Sequence, residues 1–448
     1  MSLYSRFVSA FLFPLHEKIK GHSTISAYRE MEKTQWLSPE EIQSLQFRSL
    51  RDFLCDIDQQ VPYYHDLFSR LDFDPAEIKS IADLQKLPLL GKVDIRQFTD
   101  SFKAKNATNL QRFNTGGSSG EPLIFYLGSR RVSHDVAAKR RATRWWGVDI
   151  GDREIVVWGS PIELSSQDKV RQIRDWLFRS SLLSAFEMSK KNLDGFVEAI
   201  QRARPTMLFG YPSSLSVIAK HADEIGCSFT DAGIQVAFVT SERLYDHQRD
   251  QIEETFSCPV ANGYGGRDAG FIAHQCPAGS MHITAEDIIV EIVDSEGCVL
   301  PHGESGEIVV THLRTNDFPF VRYRTGDIGT LSPHHCECGR GLPVLEKIEG
   351  RTTDFVVAQD GTLVHGLALI YTLRDMPGVH SFKIIQKSVN EVLVQLVANT
   401  AGRTVLKDTV TRDFRERLGH TVEVNFDFTD SIPREKSGKF RYVVSNVS

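Results

Sequence analysis

This sequence lacks the features that would span a membrane or hold a nucleic acid. No stretch approaches the roughly 20 consecutive apolar residues of a spanning helix. The formal net charge of −6 supplies no global basic field for nucleic acid. Seven cysteines, an odd number without a secretory signal, argue against a disulfide framework. The apolar run 7–15 follows Arg6 as a signal peptide would, but it contains Pro14, lacks a small-residue cleavage pattern and leads into His16-Glu17-Lys18, so export is not expected. A cytoplasmic protein is the default, with peripheral membrane contact through this terminus the minor alternative. Two catalytic signatures are also missing. Gly120 is followed by Glu121 rather than by the Lys-Ser/Thr of a Walker A loop, and Gly210-Tyr211-Pro212-Ser213-Ser214 is not a Gly-x-Ser-x-Gly nucleophile elbow. There is no internal repeat and no low-complexity tract.

What is present is a long chain of ordinary globular composition. Its 448 residues, 41% of them hydrophobic, suffice for two or three domains. Asn114-Thr115-Gly116-Gly117-Ser118-Ser119-Gly120-Glu121-Pro122 concentrates glycines and hydroxyls in a stretch able to wrap an oxyanion. Glycine permits positive φ, so successive amides can converge on phosphate oxygens while Thr115, Ser118 and Ser119 add donors. A Ser/Gly surface turn is the alternative.

Residues 1–105 read as the helical N-terminal part of a large domain: Pro39-Glu40-Glu41-Ile42 opens a segment with apolar residues at Ile42, Leu45, Leu50, Phe53, Leu54 and Ile57. Over 106–350, β-branched runs alternate with helical segments, which predicts an α/β core of layered sheets and helices. Arg130, Arg131, Lys139, Arg140, Arg141 and Arg144 fall on one predicted helix leading to Trp145-Trp146; a solvated face is expected, with contact to acceptor phosphates as the alternative. Over 351–448 the pattern becomes a small α+β unit: a hairpin of 382–386 and 392–397 about Asn390, a helix over 405–418 and a strand over 422–428.

Four further motifs follow the first loop in order: Tyr264-Gly265-Gly266-Arg267-Asp268, Tyr323-Arg324-Thr325-Gly326-Asp327, Gly350-Arg351-Thr352-Thr353-Asp354 and Pro433-Arg434-Glu435-Lys436-Ser437-Gly438-Lys439. The five together resemble the core motifs of the adenylate-forming superfamily. The closer resemblance, carried by Val61-Pro62-Tyr63-Tyr64, Gly210-Tyr211-Pro212-Ser213, Thr240-Ser241-Glu242 and Cys336-Glu337-Cys338-Gly339-Arg340, is to its phenylacetate-CoA ligase-like branch, including capsular-polysaccharide-associated proteins.

That resemblance implies a mobile, ferredoxin-like C-terminal lid and a set of roles. Thr115, Gly116, Gly117, Ser118, Ser119 and Gly120 would hold the β- and γ-phosphates of ATP. Ser241, Glu242, Tyr264 and Gly265 would line the nucleotide, with Tyr264 beside adenine. Asp268 stands where the family usually has Glu and would place Mg²⁺ with one methylene less reach. Asp327, at the end of a strand-like segment, would accept the ribose hydroxyls, and Arg351 would add a cation near ribose or phosphate. Thr353 and Asp354 would form the hinge, Thr353 departing from the usual Asp or Lys. Lys439 would bridge the carboxylate and the α-phosphate during adenylation. Tyr211 and Phe238 would line the acyl pocket. From the residues alone, tight turns, a helix cap, surface ion pairs, core aromatics and an exposed tail lysine stand as the alternatives.

Cys276-x5-His282 and Cys336-x-Cys338 form a separate constellation. Three sulfurs and one imidazole suit tetrahedral Zn²⁺, His274, His334 and His335 being rival ligands. The metal would be structural, tying the segment after Tyr264 to the segment after Asp327. Reduced cysteines in loops are the alternative.

The expected function is ATP- and Mg²⁺-dependent activation of a small-molecule carboxylic acid as its acyl-adenylate, with transfer to a thiol, that of coenzyme A. The alternatives are transfer to an amine or hydroxyl of a surface-polysaccharide precursor or to a carrier, and a catalytically degenerate nucleotide-binding protein. No nucleic-acid partner and no integral membrane segment are expected; a homodimer is left open.

Overall fold

The computed structural model describes residues 2–114, 123–158, 169–185, 187–349, 355–374, 376–398, 403–432 and 442–447. The phosphate loop 115–120, Arg351, Thr353, Asp354 and Lys439 therefore lie outside the described residues.

The N-terminal part is helical because its apolar residues recur at helical spacing behind capped starts. α1 (Leu3–Phe7) runs through a π turn (Val8–Leu12) into α2 (Phe13–Ile19), followed by α3 (Thr24–Thr34). α4 (Pro39–Gln60) begins with a reciprocal capping box of Ser38 and Glu41 and has proline in its first turn. It buries Ile42, Leu50, Phe53, Leu54 and Ile57 as the spacing predicts. Leu45 stays half-buried; Gln46 turns inward instead, its Nε2 donating to the Ile288 carbonyl at 3.1 Å. α5 (Pro62–Leu71) and α6 (Lys92–Gln97) complete the region. The inner faces of α4 and α5 share one core with Ile272, Ile308 and Tyr323 of the later strands, so these helices are packed onto the sheet.

β1 (Gln111–Asn114) and β2 (Ile124–Leu127) pair antiparallel and flank 115–122. After α7 (Ser129–Trp145), strands and helices alternate: β3 (Glu154–Trp158), α8 (Lys169–Phe178), β4 (Ser180–Ser184), β5 (Glu187–Met188), α9 (Lys190–Ala203), β6 (Met207–Gly210), α10 (Pro212–Glu224), β7 (Val236–Thr240), α11 (Asp246–Phe256) and β8 (Val260–Gly266). β4, β3, β6, β7 and β8 lie parallel in that spatial order. Beyond β8 the connections shorten to hairpins and the sheet turns antiparallel through β9 (Gly270–Gln275), β10 (Met281–Ile283), β11 (Ile288–Val293), β12 (Ser305–His312), β13 (Tyr323–Leu331) and β14 (Val344–Glu349). Among the described residues this makes one 11-stranded mixed sheet.

α7 departs from the expected solvated face. Arg131, Arg140 and Arg141 are buried. Arg131 pairs with Asp135 at 2.8 Å, Arg140 with Asp149 at 2.9 Å and Arg141 with Glu286 at 2.6 Å. His134 meets Asp287 at 2.8 Å, and Arg314 reaches the same carboxylate at 3.1 Å. Burial pushes the Asp287 carboxyl up, but His134 and Arg314 outweigh it and hold the group well below the usual range. A buried charge with partners on another element fixes that element's place, because removing either partner strands the other.

The C-terminal unit has its own core, drawn from residues between Val356 and Val443. Its elements are β15 (Phe355–Val357), β16 (Leu363–His365), α12 (Gly366–Arg374), β17 (Val379–Ser388), β18 (Glu391–Ala398), α13 (Arg403–Leu418), β19 (Glu423–Phe428) and β20 (Val443–Ser445). The hairpin about Asn390 and the helix and strand after it form as predicted. β17 and β18 are antiparallel, with β20 and β19 added in parallel on their outer sides. Among the described residues, a backbone pairing ties this unit to the large domain: β16 lies antiparallel to β5, Leu363 opposite Met188.

Candidate active site and a cysteine cluster

The carboxyl ends of β3, β6, β7 and β8 lie side by side, with Val157 opposite Gly210, Gly210 opposite Val239 and Thr240 opposite Gly263. In an open parallel sheet the crevice beyond these ends is where ligands bind. The segments leaving them carry Trp158, Tyr211, Ser241-Glu242 and Tyr264–Asp268.

Ser241 follows β7 at φ 74°, a left-handed conformation unfavourable for serine and of a kind that concentrates at functional sites. Glu242 accepts a hydrogen bond from the Ser213 hydroxyl at the start of α10. Tyr211 stacks on Trp158, centroids 4.3 Å apart. Burial raises the Tyr211 phenol, with Glu242 and Tyr371 adding to the effect, which brings α12 of the C-terminal unit near this wall. Phe238 is fully buried and stacks on Phe209, which meets Trp158 at 6.0 Å, so an aromatic row runs from Tyr211 through Trp158 and Phe209 to Phe238.

β8 turns into β9 through the sequence that carries Asp268. Gly265 is required there, since a Cβ would lie 2.1 Å from the Gly270 carbonyl oxygen across the hairpin. The hairpin then meets β13 through two crossed pairs. The Tyr264 hydroxyl donates to Asp327 Oδ2 at 3.0 Å, and the Tyr323 hydroxyl donates to Asp268 Oδ2 at 2.6 Å. Asp268 Oδ1 also accepts from the Ala269 amide at 3.0 Å. The Asp327 amide is oriented by Thr325 Oγ1 at 3.1 Å, whose hydroxyl is anchored on the Ile308 carbonyl. The motif of Tyr264, Gly265 and Asp268 is thus brought together with Asp327 from the next motif. Tyr323 and Trp158 were missed as functional partners: Tyr323 stood inside a quoted motif, but nothing in its spacing pointed to Asp268.

At the far ends of β9 and β13 the cysteines converge. Cys276 follows β9, His282 lies on β10, and Cys336 and Cys338 sit in the turn between β13 and β14. β10 is flanked by β9 and β14, which gathers all four. Their ligand atoms lie within 4.8 Å of one another. Cys276 Sγ is 3.7 Å from Cys336 Sγ, and Cys338 Sγ is 3.2 Å from His282 Nε2. His282 Nδ1 is 3.2 Å from the Leu342 carbonyl. An N–H donated there leaves the Nε2 lone pair facing the sulfurs, the usual arrangement of a metal-binding imidazole. Two thiolates on tetrahedral zinc, with Zn–S near 2.3 Å, stand about 3.8 Å apart, so the donor set fits that ion. His274, His334 and His335 are not part of the group. The turn packs on the N-terminal helices: the Arg340 guanidinium lies over Trp36 and Trp145, and Trp145 meets His282 edge-on at 5.7 Å.

Comparison with known proteins agrees with this architecture. Residues 181–313 match the family described as AMP-binding enzyme, and residues 356–446 match the CapK C-terminal domain. Protein CapK of Staphylococcus aureus is 25% identical over 442 residues, covering 96% of this chain and 94% of that protein. A phenylacetate-coenzyme A ligase of Thermus thermophilus is 22% identical over 450 residues, covering 91% and 97% respectively. Among solved structures, 2-hydroxyisobutyryl-CoA ligase with 2-HIB-AMP and CoA in the thioesterification state superposes with a TM-score of 0.67 at 19% identity, over 93% of this chain and 92% of that one. The chain therefore shares the fold of that ligase, with a match to AMP-binding enzyme over 181–313 and to the CapK C-terminal domain over 356–446.

Proposed function

We propose that this protein uses ATP to convert a carboxylic acid into its acyl-adenylate and then passes the acyl group to the thiol of coenzyme A. The observation that carries this reading is the crossed pair of tyrosine–carboxylate contacts, Tyr264 to Asp327 and Tyr323 to Asp268, beside the carboxyl ends of the parallel strands. Two carboxylates held apart and oriented suit a nucleotide, whose ribose and metal-bound phosphates need separate acceptors. The AMP-binding enzyme match and the near full-length likeness to a phenylacetate-coenzyme A ligase support the ligase class.

In the first step a carboxylate oxygen attacks the α-phosphorus and pyrophosphate leaves. In the second, a thiolate attacks the acyl carbon and AMP leaves. Loop 115–120 holds the β- and γ-phosphates, Tyr264 and Ser241-Glu242 flank the base, Asp327 takes the ribose with Arg351 nearby, and Tyr211 lines the acyl side with Trp158. Lys439 bridges carboxylate and α-phosphate as negative charge moves between them, and Thr353-Asp354 is the hinge about which it is delivered. Mg²⁺ fits at Asp268, because an ionised carboxylate that accepts from Tyr323 and the Ala269 amide has lone pairs remaining; bound there it would neutralise charge on the departing pyrophosphate. Zn²⁺ held by Cys276, His282, Cys336 and Cys338 is closed by four protein donors and plays no part in either step.

The test is ATP–pyrophosphate exchange screened across carboxylic acids, followed by product mass with each acceptor. Acid-dependent exchange and an acyl-CoA product are expected. Exchange with transfer only to an amine, hydroxyl or carrier reassigns the acceptor; nucleotide binding without exchange for any acid leaves a binding protein.

A further inference from the structure

Seven of the twelve large hydrophobic residues exposed on the described surface belong to α1, α2, the π turn between them and the neighbouring α8. Leu3, Phe7, Phe11, Leu15 and Ile19 recur every fourth residue and are 85, 49, 66, 55 and 77% exposed; α8 adds Ile173 and Trp176 at 59 and 76%. In an unbroken α-helix residues four apart drift about 40° around the axis per step. The wider π turn over Val8–Leu12 counters that drift and holds the five side chains to one flank.

The opposite flank is fastened to the body, so this is not a loose leader. Val8 and Phe13 are buried, the Ser5 hydroxyl donates to the Gly151 carbonyl at 3.1 Å, and the Ser9 hydroxyl donates to Asp149 at 3.0 Å. Tyr4 Oη donates to the Leu177 carbonyl at 2.9 Å, and Phe13 and His16 meet Phe178 edge-on, which joins α8 to the same surface.

Charge identifies the occupant. Arg6, Lys18 and Lys20 are exposed among these apolar residues. The single acid of the segment, Glu17, is 4% exposed and turned inward onto His16, His22 and Thr24. On α8 the half-buried Asp175 is paired with Arg174. A chain of net charge −6 thus presents a locally cationic, apolar stripe with tryptophan beside it. Such a face suits an anionic bilayer, where apolar side chains enter the acyl boundary and lysine and arginine meet lipid phosphates. A second copy packed two-fold on this face would instead set Arg6, Lys18 and Lys20 against their own counterparts, cation facing cation.

We propose that the α1–α2 face, extended by α8, docks this protein reversibly on an anionic lipid surface. Cosedimentation of the full chain with phosphatidylcholine vesicles, with and without phosphatidylglycerol, tests it. Binding is expected only with phosphatidylglycerol, weakening as salt rises. Phe7→Ser/Phe11→Ser lowers the partition coefficient by about tenfold or more, since binding scales with the apolar area that enters the acyl boundary, with unchanged melting because both side chains are exposed. Arg6→Glu/Lys18→Glu lowers it by a similar factor and flattens the salt dependence. Absence of binding to anionic vesicles, or binding by either variant as tight as that of the wild type, overturns the proposal. So does a dimer in sedimentation equilibrium that Phe7→Ser/Phe11→Ser converts to monomer, which assigns the face to a second copy.

Discussion

β9 and β13 each run from the Asp268–Asp327 end of the sheet to the cysteine cluster, and their two ends are finished differently. At one end Asp268 and Asp327 are held by tyrosine hydroxyls, contacts that a ligand hydroxyl or a metal can replace or join. At the other, three sulfurs and an imidazole face one another with their donor atoms within 4.8 Å. The six residues of β9 at ~3.3 Å each put about 20 Å between the two. On the proposed function one strand set would serve a transient occupant and a permanent cross-link, the distinction lying in the ligand atoms at each end rather than in the backbone between them.

The largest expected effect strikes the transient end. Lys439→Ala slows adenylation by about 10²–10³, as loss of a transition-state donor typically does, while thioester formation from chemically made acyl-adenylate suffers far less. Equal loss in both assays, with the mutant folded, would contradict a lysine delivered for the first step only. At the permanent end, wild type should carry about one zinc per chain, and Cys338→Ser should lose it and melt several degrees lower while exchange per folded molecule persists. Metal-free wild type with unchanged melting removes the cross-link. Asp327→Ala should weaken ATP binding by on the order of 1–3 kcal/mol, measured by calorimetry; unchanged affinity would mean that the ribose lies elsewhere.

The smallest effect lies behind the site. Burial pushes His312 down to about 4, with Arg131 adding to the shift and Asp135 opposing it. The folded state therefore holds this imidazole neutral, whereas unfolded histidine titrates near 6.5. Its contribution to stability is intact above about pH 6.5 and falls by about 1 kcal/mol per pH unit down to about 4. His312 Nδ1 accepts from the Arg314 amide, so His312→Asn can retain an acceptor without the titration. Urea midpoints for the variant should fall less steeply between pH 7 and pH 5 than those of the wild type. Identical slopes would show that other groups control the acid response.

Much of this was legible in one sequence, for reasons that differ by region. The hairpin about Asn390 and the spacing of α4 are local patterns, and local patterns survive translation into structure. Cys276, His282, Cys336 and Cys338 were legible as a set because metal chemistry restricts donor types and short spacings. The buried arginines of α7 were misread as solvated because a basic run looks the same whether its carboxylates lie in water or in the core: Arg141 meets Glu286, 145 residues away, while Arg131 and Arg140 meet the nearer Asp135 and Asp149. The Tyr323–Asp268 pairing stayed hidden likewise: both residues were visible, but sequence carries no record of which strands cross. The phosphate loop and Lys439 fall outside the described residues, so their places rest on motif order alone.

The pairing of β16 with β5 is small, and that smallness has a thermodynamic meaning. Two residues of antiparallel strand contribute a few hydrogen bonds at about 1 kcal/mol net each, against a separately cored unit on either side. A joint of that strength acts as a detent rather than a weld: it gives the C-terminal unit a preferred seat, yet leaves the balance between seats within reach of a ligand's differential affinity. On the proposed two-step reaction, nucleotide, acyl-adenylate and thiol would each select the position that suits their own step.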